Sequence, residues 1–361
     1  MNLLSWNCRG LGNPRAVRIL NMIIKEKFPS LVFLVETKCS RSRIESVKLL
    51  TKFDCCLAVD SMGSSGGLAM MWKNNLEVQL VSFTRWHISV MIADKRHNTP
   101  WMLTGFYGHP VTSKRKLSWN LLRELKPSQG IPWLCIGDFN EILSQKEKVG
   151  GVPRPYKQME EFREAIEFCS IESIPTKGNR YTWSNNRIGR GFTKEKLDRA
   201  LANPEWKARF PNGICRVLTA MKSDHAPLSL QWEGPIPVRR YMKANFRYEA
   251  TWSLSEECPK IIKKAWSIAA VGEDASSYLR HKLANCAQAL RQWNSSRKRV
   301  ASATIKQKMD RIATIQKEEG GDQVCELKVL QREVEQQLEE EELKWKQRAK
   351  QHWLKDGDRN T

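Results

Sequence analysis

Residues 133–140 read WLCIGDFN. A short apolar run ends on a carboxylate, Asp138, with an amide, Asn140, two residues later. The run has the length and flanks of a buried β-strand. Positions i and i+2 of an extended chain share a face, so the spacing predicts Asp138 and Asn140 side by side at a strand tip. Ordinary turn chemistry explains GDFN equally well, and the rest of the chain decides between the two readings.

The same punctuation recurs. Asn7 ends LLSW, Glu36 ends LVFLV, Tyr107 ends WMLTGF, Asp224 and His225 precede PLSLQW, and Asp198 sits in KEKLDRAL. Between these points the first 234 residues alternate strand-like and helix-like segments. Asn13-Pro14 is a helix start, and Ala16, Val17, Leu20, Ile23 and Ile24 follow at helical spacing. Helical patterns recur at 42–51, 113–125 and 156–168. CCLAVD, GLAMMWK, LEVQLVSF, WHISVMIAD and WMLTGFYG read as strands. Many strands with few helices predict an α/β fold of two packed sheets with helices outside.

Two prolines in GPIPVRR (234–240) mark a boundary. Beyond a linker at 235–270, residues 271–361 read as a helical hairpin. Leu279, Leu283, Cys286, Leu290 and Trp293 form one seam, EEGGD (318–322) a break, and Leu327, Leu330, Val334 and Leu338 a second stripe.

The chain of 361 residues is 41% hydrophobic, enough for a large core, and carries a formal charge of +21, of which +14 lies in residues 1–234. Such an excess predicts a polyanionic partner, with nucleic acid ahead of an anionic membrane. No apolar run is long enough to span a bilayer, and the N-terminus lacks a secretory signal, so an intracellular protein is expected. The ten cysteines are scattered without a CxxC pair, which argues for reduced thiols and against zinc.

The strand-end residues together suit metal-assisted phosphodiester hydrolysis. Asn7, Glu36 and Asp224 are hard oxygen donors, suited to Mg²⁺ or Mn²⁺. Asp138 can orient and deprotonate water, and Asn140 can hold the phosphate or the nucleophile. His225, paired with Asp198, can bind the phosphate as a cation, and Tyr107 offers a phenol donor.

In order, WNCRG, VET, GFYG, GDFN, LDR and SDH resemble the endonuclease/exonuclease/phosphatase superfamily, which includes DNase I and the abasic-site endonucleases. The resemblance spans residues 1 to about 232 and implies a four-layered, DNase I-like α/β sandwich followed by the helical tail. It implies metal-binding roles for Asn7, Glu36 and Asp224, and catalytic roles for Tyr107, Asp138, Asn140, Asp198 and His225. SWNCRGLGNPRAV, GDFNEIL with KVGG, NRYTWSNNR and KLDRALANPEW further resemble the endonuclease of plant LINE-type retrotransposons. HWLKDGDRNT (352–361) resembles the segment leading into their reverse transcriptase. No YADD-like motif is present, so the sequence reads as a fragment, a truncated element copy or a gene model cut at an exon end. GHP after Tyr107 departs from the abasic-site pattern.

The implied function is Mg²⁺-dependent DNA nicking for retrotransposition, in the nucleus. The implied partners are DNA, and element RNA or a reverse transcriptase supplied in trans. Two alternatives stay open: another phosphodiesterase of the superfamily, acting on RNA or phosphoinositides, and a catalytically decayed nucleic-acid-binding remnant. His109, Arg187 and Arg190 are candidate DNA contacts, with Trp183 expected in the core beside the arginines. MGSSGG (62–67) lacks the rest of a phosphate loop and reads as a hairpin turn; His87 reads as structural.

Overall fold

The computed structural model describes residues 1–63, 65–94, 97–232, 246–248, 252, 255–269 and 274–356. In chain order the elements are β1 (Asn2–Asn7), α1 (Pro14–Lys27), β2 (Leu31–Val35), α2 (Arg41–Thr51), β3 (Cys55–Val59), β4 (Leu68–Trp72), β5 (Leu76–Thr84), β6 (His87–Asp94), β7 (His97–Tyr107), α3 (Arg115–Glu124) and β8 (Trp133–Asp138). Then follow β9 (Lys148–Val149), α4 (Tyr156–Cys169), β10 (Glu172–Ser173), β11 (Thr176–Gly178), β12 (Trp183–Ser184), β13 (Lys194–Glu195), β14 (Asp198–Ala202), α5 (Pro204–Arg209), β15 (Ile214–Val217) and β16 (Leu228–Gln231). The helices α6 (Glu257–Ser267), α7 (Ala275–Lys317) and α8 (Val324–Asp356) complete the chain.

Two mixed sheets dominate. One has the order β11-β15-β16-β1-β2-β4-β3, the other β10-β14-β8-β7-β6-β5. The alternating apolar positions of the strands meet between them: Leu3, Phe33 and Met70 from the first sheet share a core with Val90, Leu103 and Ile136 from the second. Trp101, Trp206, Phe210 and Trp232 close one part of that core with ring centroids 5.0–6.5 Å apart. Such aromatic pairs contribute about 0.5–1.5 kcal/mol each beyond their area.

Helices cover the outer faces. The Asn13 side chain caps α1, accepting from Arg15 N at 2.9 Å, and Ala16, Val17, Ile19, Leu20, Ile23 and Ile24 form the buried stripe. On the other side Trp119 of α3 and Phe162 of α4 stack at 4.3 Å over Phe106, Trp133 and Phe139. The result is the expected DNase I-like four-layered sandwich followed by a helical region. All ten cysteines are free thiols, and Cys325 alone of them is exposed.

The chain divides into two compact units, one of Met1–Ile236 with Arg311–Gln331, the other of Pro237–Asp310 with Arg332–Thr361. The GPIPVRR boundary and residues 357–361 of the tail motif lie outside the described residues. Three features of the tail depart from the sequence reading. The expected linker contains a helix, α6. Within the second unit Leu279 and Leu283 are exposed, whereas Lys282, Cys286 and Leu290 are buried. This face turns to α6: Lys282 Nζ donates to Trp266 O at 2.7 Å and Ile268 O at 2.8 Å, and Trp293 Nε1 to Glu257 at 2.7 Å. A seam drawn by apolar type alone misses Lys282, whose stem packs while its ammonium caps the end of α6. Finally, the turn between α7 and α8 belongs to the first unit.

Candidate active site

Strand direction gathers the polar residues. β1 and β2 are parallel with Asn7 opposite Val35, and β7 and β8 are parallel with Tyr107 opposite Asp138. Parallel neighbours end on the same edge, so all four tips point one way. β14 runs antiparallel and begins there, with Asp198 opposite Asp138. β16 pairs antiparallel with β1, which brings the preceding Asp224 and His225 to the same edge.

The side chains form one connected network. Asn7 Nδ2 donates to Asp138 Oδ2 at 2.9 Å and to Glu36 Oε1 at 3.2 Å. The Tyr107 hydroxyl donates to the same Glu36 oxygen at 3.0 Å. Burial, with Glu36 and Asp138 nearby, holds the phenol far above its usual range, so it remains a donor. Asn140 reaches Asp138 by another route than strand alternation. β8 stops at Asp138, and Asn140 takes a left-handed conformation, φ 56°. That turn lets Asn140 N donate to Asp138 Oδ1 at 2.9 Å and Asn140 Nδ2 to Gly108 O at 2.9 Å. Arg9 and Glu36 are left-handed as well, at φ 47° and 52°. Non-glycine residues in this region carry strain of about 1–3 kcal/mol, which clusters at functional sites.

His225 Nδ1 lies 2.9 Å from Asp198 Oδ2, and its Nε2 lies 3.8 Å from Asp138 Oδ2. Burial opposes charge on the imidazole, but the two carboxylates outweigh it and push His225 up to about 10. Burial likewise raises Asp138, to about 7, against the imidazolium and the Asn7 and Asn140 donors. The dyad is braced from behind. Thr182 Oγ1 accepts from Leu197 N and Asp198 N at 2.9 and 2.8 Å. Ser223 Oγ donates to Asn7 O at 2.7 Å and accepts from His225 N at 3.1 Å.

A divalent cation suits the Glu36 side of the network. The Arg9 guanidinium lies between the two carboxylates there: Nη1 pairs with Asp224 Oδ2, and Nε stands 3.9 Å from Glu36 Oε2. Lys38 Nζ is 3.5 Å from that oxygen. Two carboxylates already converge on one half-exposed positive group, and Asn7 adds a neutral amide oxygen, a donor set of the hard kind Mg²⁺ and Mn²⁺ prefer. Asp138, Asp198 and His225 also lie close enough to hold an ion. Within this group His225 Nδ1 and Asp198 form a tight, buried imidazole–carboxylate pair, with Asp138 as a second carboxylate beside it.

Sequence reasoning thus named a set that the fold brings together, and it missed Arg9, Ser223, Thr182 and Trp183. Arg9 stands inside WNCRG and Ser223 inside SDH, but type and spacing do not reveal what a residue in a turn will face. Trp183, expected in the core, is only half-buried, and its Nε1 donates to Asp224 Oδ2 at 2.8 Å. Its backbone forms a bridge with His225. His109 stands apart from the network: its ring packs against Trp86, tilted, with centroids 4.5 Å apart, and Nδ1 accepts from Val111 N at 3.1 Å. Arg187 and Arg190 are exposed on the loop that follows β12. His87 is buried, with ring nitrogens 3.0 and 2.9 Å from the Ser82 and Thr84 hydroxyls. Met62 and Ser65 exchange backbone hydrogen bonds as a hairpin turn does.

Beside the network opens a cavity of about 540 Å³, lined by Arg9, Glu36, Asn140, Lys148, Arg154, Asp224 and His225 among others. Anionic and cationic groups thus share one water-accessible cleft. The AP endonuclease LMAP of Leishmania major is 16% identical to this chain at a TM-score of 0.49, covering 65% of this chain and 88% of its own. The endonuclease domain of TRAS1, a telomere-specific non-LTR retrotransposon, is 12% identical at 0.47, covering 64% and 97%. The 3′-5′ exonuclease of Neisseria meningitidis is 15% identical at 0.48, covering 65% and 100%. No curated protein matches the chain. The family described as endonuclease/exonuclease/phosphatase matches residues 4–225, from within β1 to His225 itself. A match over more than half of the chain that starts and stops with the strand-edge network makes this protein a member of the endonuclease/exonuclease/phosphatase family.

Proposed function

We propose that the protein is a Mg²⁺-dependent DNA endonuclease that nicks target DNA for a retroelement. The observation that carries the hydrolytic reading is the placement of Asp138, buried among Asn7, Asn140 and His225 and raised toward neutrality. A base is most effective when its pKa lies near the working pH. Asp138 takes a proton from water, while Asn140 orients that water or the phosphate. His225, kept cationic by Asp198, attracts the scissile phosphate, and Tyr107 donates toward the charge that develops. Asn7, Glu36 and Asp224 would hold Mg²⁺ or Mn²⁺, which supplies Lewis acidity to the phosphate and the leaving oxygen. The net charge of +21 favours a nucleic acid over a soluble phosphomonoester, with binding that weakens as salt rises. The retroelement assignment rests on the LINE-like motifs and the HWLKDGDRNT segment.

The test is conversion of supercoiled plasmid to open circle in Mg²⁺ and in EDTA, beside single-stranded RNA and a phosphoinositide. The expected result is Mg²⁺-dependent open circle with little action on the other two. Preferential cleavage of RNA or release of phosphate from the lipid would replace the DNA assignment. Plasmid binding without cleavage of any substrate would point to a non-catalytic protein.

A further inference from the structure

The turn between α7 and α8 is built into the nuclease unit by polar bonds of unusual specificity. Gln316 Oε1 accepts from Ala220 N at 3.0 Å, and Gln316 Nε2 donates to Ala220 O at 2.7 Å. A side-chain amide here pairs with a peptide group as one strand pairs with another. Gln331 Nε2 donates to the same carbonyl at 3.0 Å. Ala220 opens the segment that carries Ser223, Asp224 and His225.

The same turn grips the other flank of Asp224. Asn179 Nδ2 donates to Gln316 O at 2.7 Å, and the Tyr181 hydroxyl donates to Glu319 at 2.9 Å. Lys194 Nζ donates to the carbonyls of Gln316, at 3.0 Å, and Glu318. A buried ammonium on the last carbonyls of a helix satisfies groups that would otherwise lack partners and complements the helix dipole. Asn179, Tyr181 and Lys194 surround β12 and β13, whose Trp183 holds the Asp224 carboxylate. The two flanks are tied to each other as well: Ser184 N donates to Asp224 O at 3.1 Å and Ala226 N to Thr182 O at 2.7 Å.

We infer that Gln316, together with Lys194, is a positioning residue for Asp224 and His225, so that the tip of the helical tail forms part of the nuclease domain and sets the site's geometry. This rests on the hydrolytic reading for its catalytic consequence and on hydrogen bonding alone for its structural one. Displacing reacting groups by about 1 Å costs roughly a hundredfold in rate, so loss of the Gln316 clamp should lower kcat by about tenfold or more and raise the half-saturating Mg²⁺.

The experiment uses the full chain with Gln316→Ala and Gln316→Glu. The glutamate keeps the acceptor for Ala220 N and loses the donor for Ala220 O. Amide exchange at Ser184 and Ala226, whose N–H groups bond Asp224 O and Thr182 O, is measured beside plasmid nicking and melting. The expected result is exchange at both amides about tenfold faster in Gln316→Ala, with kcat reduced and an intermediate effect in Gln316→Glu. Faster exchange confined to Ala220, or a lower Tm with kcat and the Mg²⁺ requirement unchanged, would overturn the proposal. Should Gln316→Ala fail to fold, Gln316→Glu, which loses only the bond to Ala220 O, decides by the same amides: unchanged exchange at both would overturn the proposal. If the parent chain does not nick, the hydrolytic reading fails and the exchange data alone decide whether the clamp positions the segment.

Discussion

Arg9 occupies the place where the network's negative charge converges, paired with Asp224 and near Glu36. A metal held there must compete with that guanidinium. Arg9→Ala should therefore lower the Mg²⁺ concentration for half-maximal nicking several-fold, and calorimetric Mn²⁺ binding should tighten in step. An unchanged or higher requirement would make Arg9 a helper of the site. Glu36→Gln should do the opposite, since a carboxylate holds a hard cation better than an amide; an unchanged Mg²⁺ titration would remove Glu36 from the metal. His87 gives a test away from the chemistry. Burial lowers its pKa to about 4, below the ordinary value near 6.5. The unfolded chain therefore binds a proton that the folded chain refuses, and stability present above about 6.5 is lost as pH falls toward about 4. Relative to His87→Gln, the parent should lose on the order of 3 kcal/mol between pH 7.5 and 4. Parallel stability curves for the two would show that His87 is not held neutral. These charge relations were only half legible in the sequence. The strand-tip residues announced themselves because each breaks an apolar run. Arg9 did not, because its reach depends on a left-handed turn that no periodicity encodes.

At the scale of elements, β7 and β8 fix the site through one close approach. A Cβ on Gly108 would meet Phe139 O at 2.2 Å. Gly108 N donates to Asp138 O at 2.7 Å, and its carbonyl takes the Asn140 amide. Gly108→Ala should force these strand ends apart, costing about 1–3 kcal/mol by overpacking. Nicking should fall further than the melting temperature alone explains. A variant that melts and nicks like the parent would show the strand ends to be pliable. The sheets themselves were readable from alternation and run length: β2, β4 and β8 fall within the runs SLVFLVET, GLAMMWK and WLCIGDF, each ending a residue or two inside them. The short strands β9, β12 and β13 were not, since two residues carry no period. They hold Trp183 and Lys194 in place through long-range pairing. The α7 seam failed for a related reason, because a lysine at a buried position looks polar in sequence while its stem packs.

For the whole molecule, the sequence reading set a domain boundary after residue 234, at the GPIP segment. The compact unit containing the site also takes in Arg311–Gln331, a segment some eighty residues downstream whose role no local pattern could announce. A chain ending at residue 234 would lose the Gln316 and Gln331 bonds and uncover Tyr181 and Phe192, both buried in the full chain. It should melt at a lower temperature than the full chain and nick more slowly at saturating Mg²⁺. Equal melting and equal maximal rate would restore the earlier boundary. We propose the strand-edge network as a hydrolytic site with Asp138 as its base. The most direct test is the single-turnover rate of plasmid nicking by full-length Asp138→Asn beside the parent, at saturating Mg²⁺ and with folding checked by melting. A fall of about a hundredfold or more with the fold intact is the predicted result. A folded variant that nicks at close to the parent rate would contradict it.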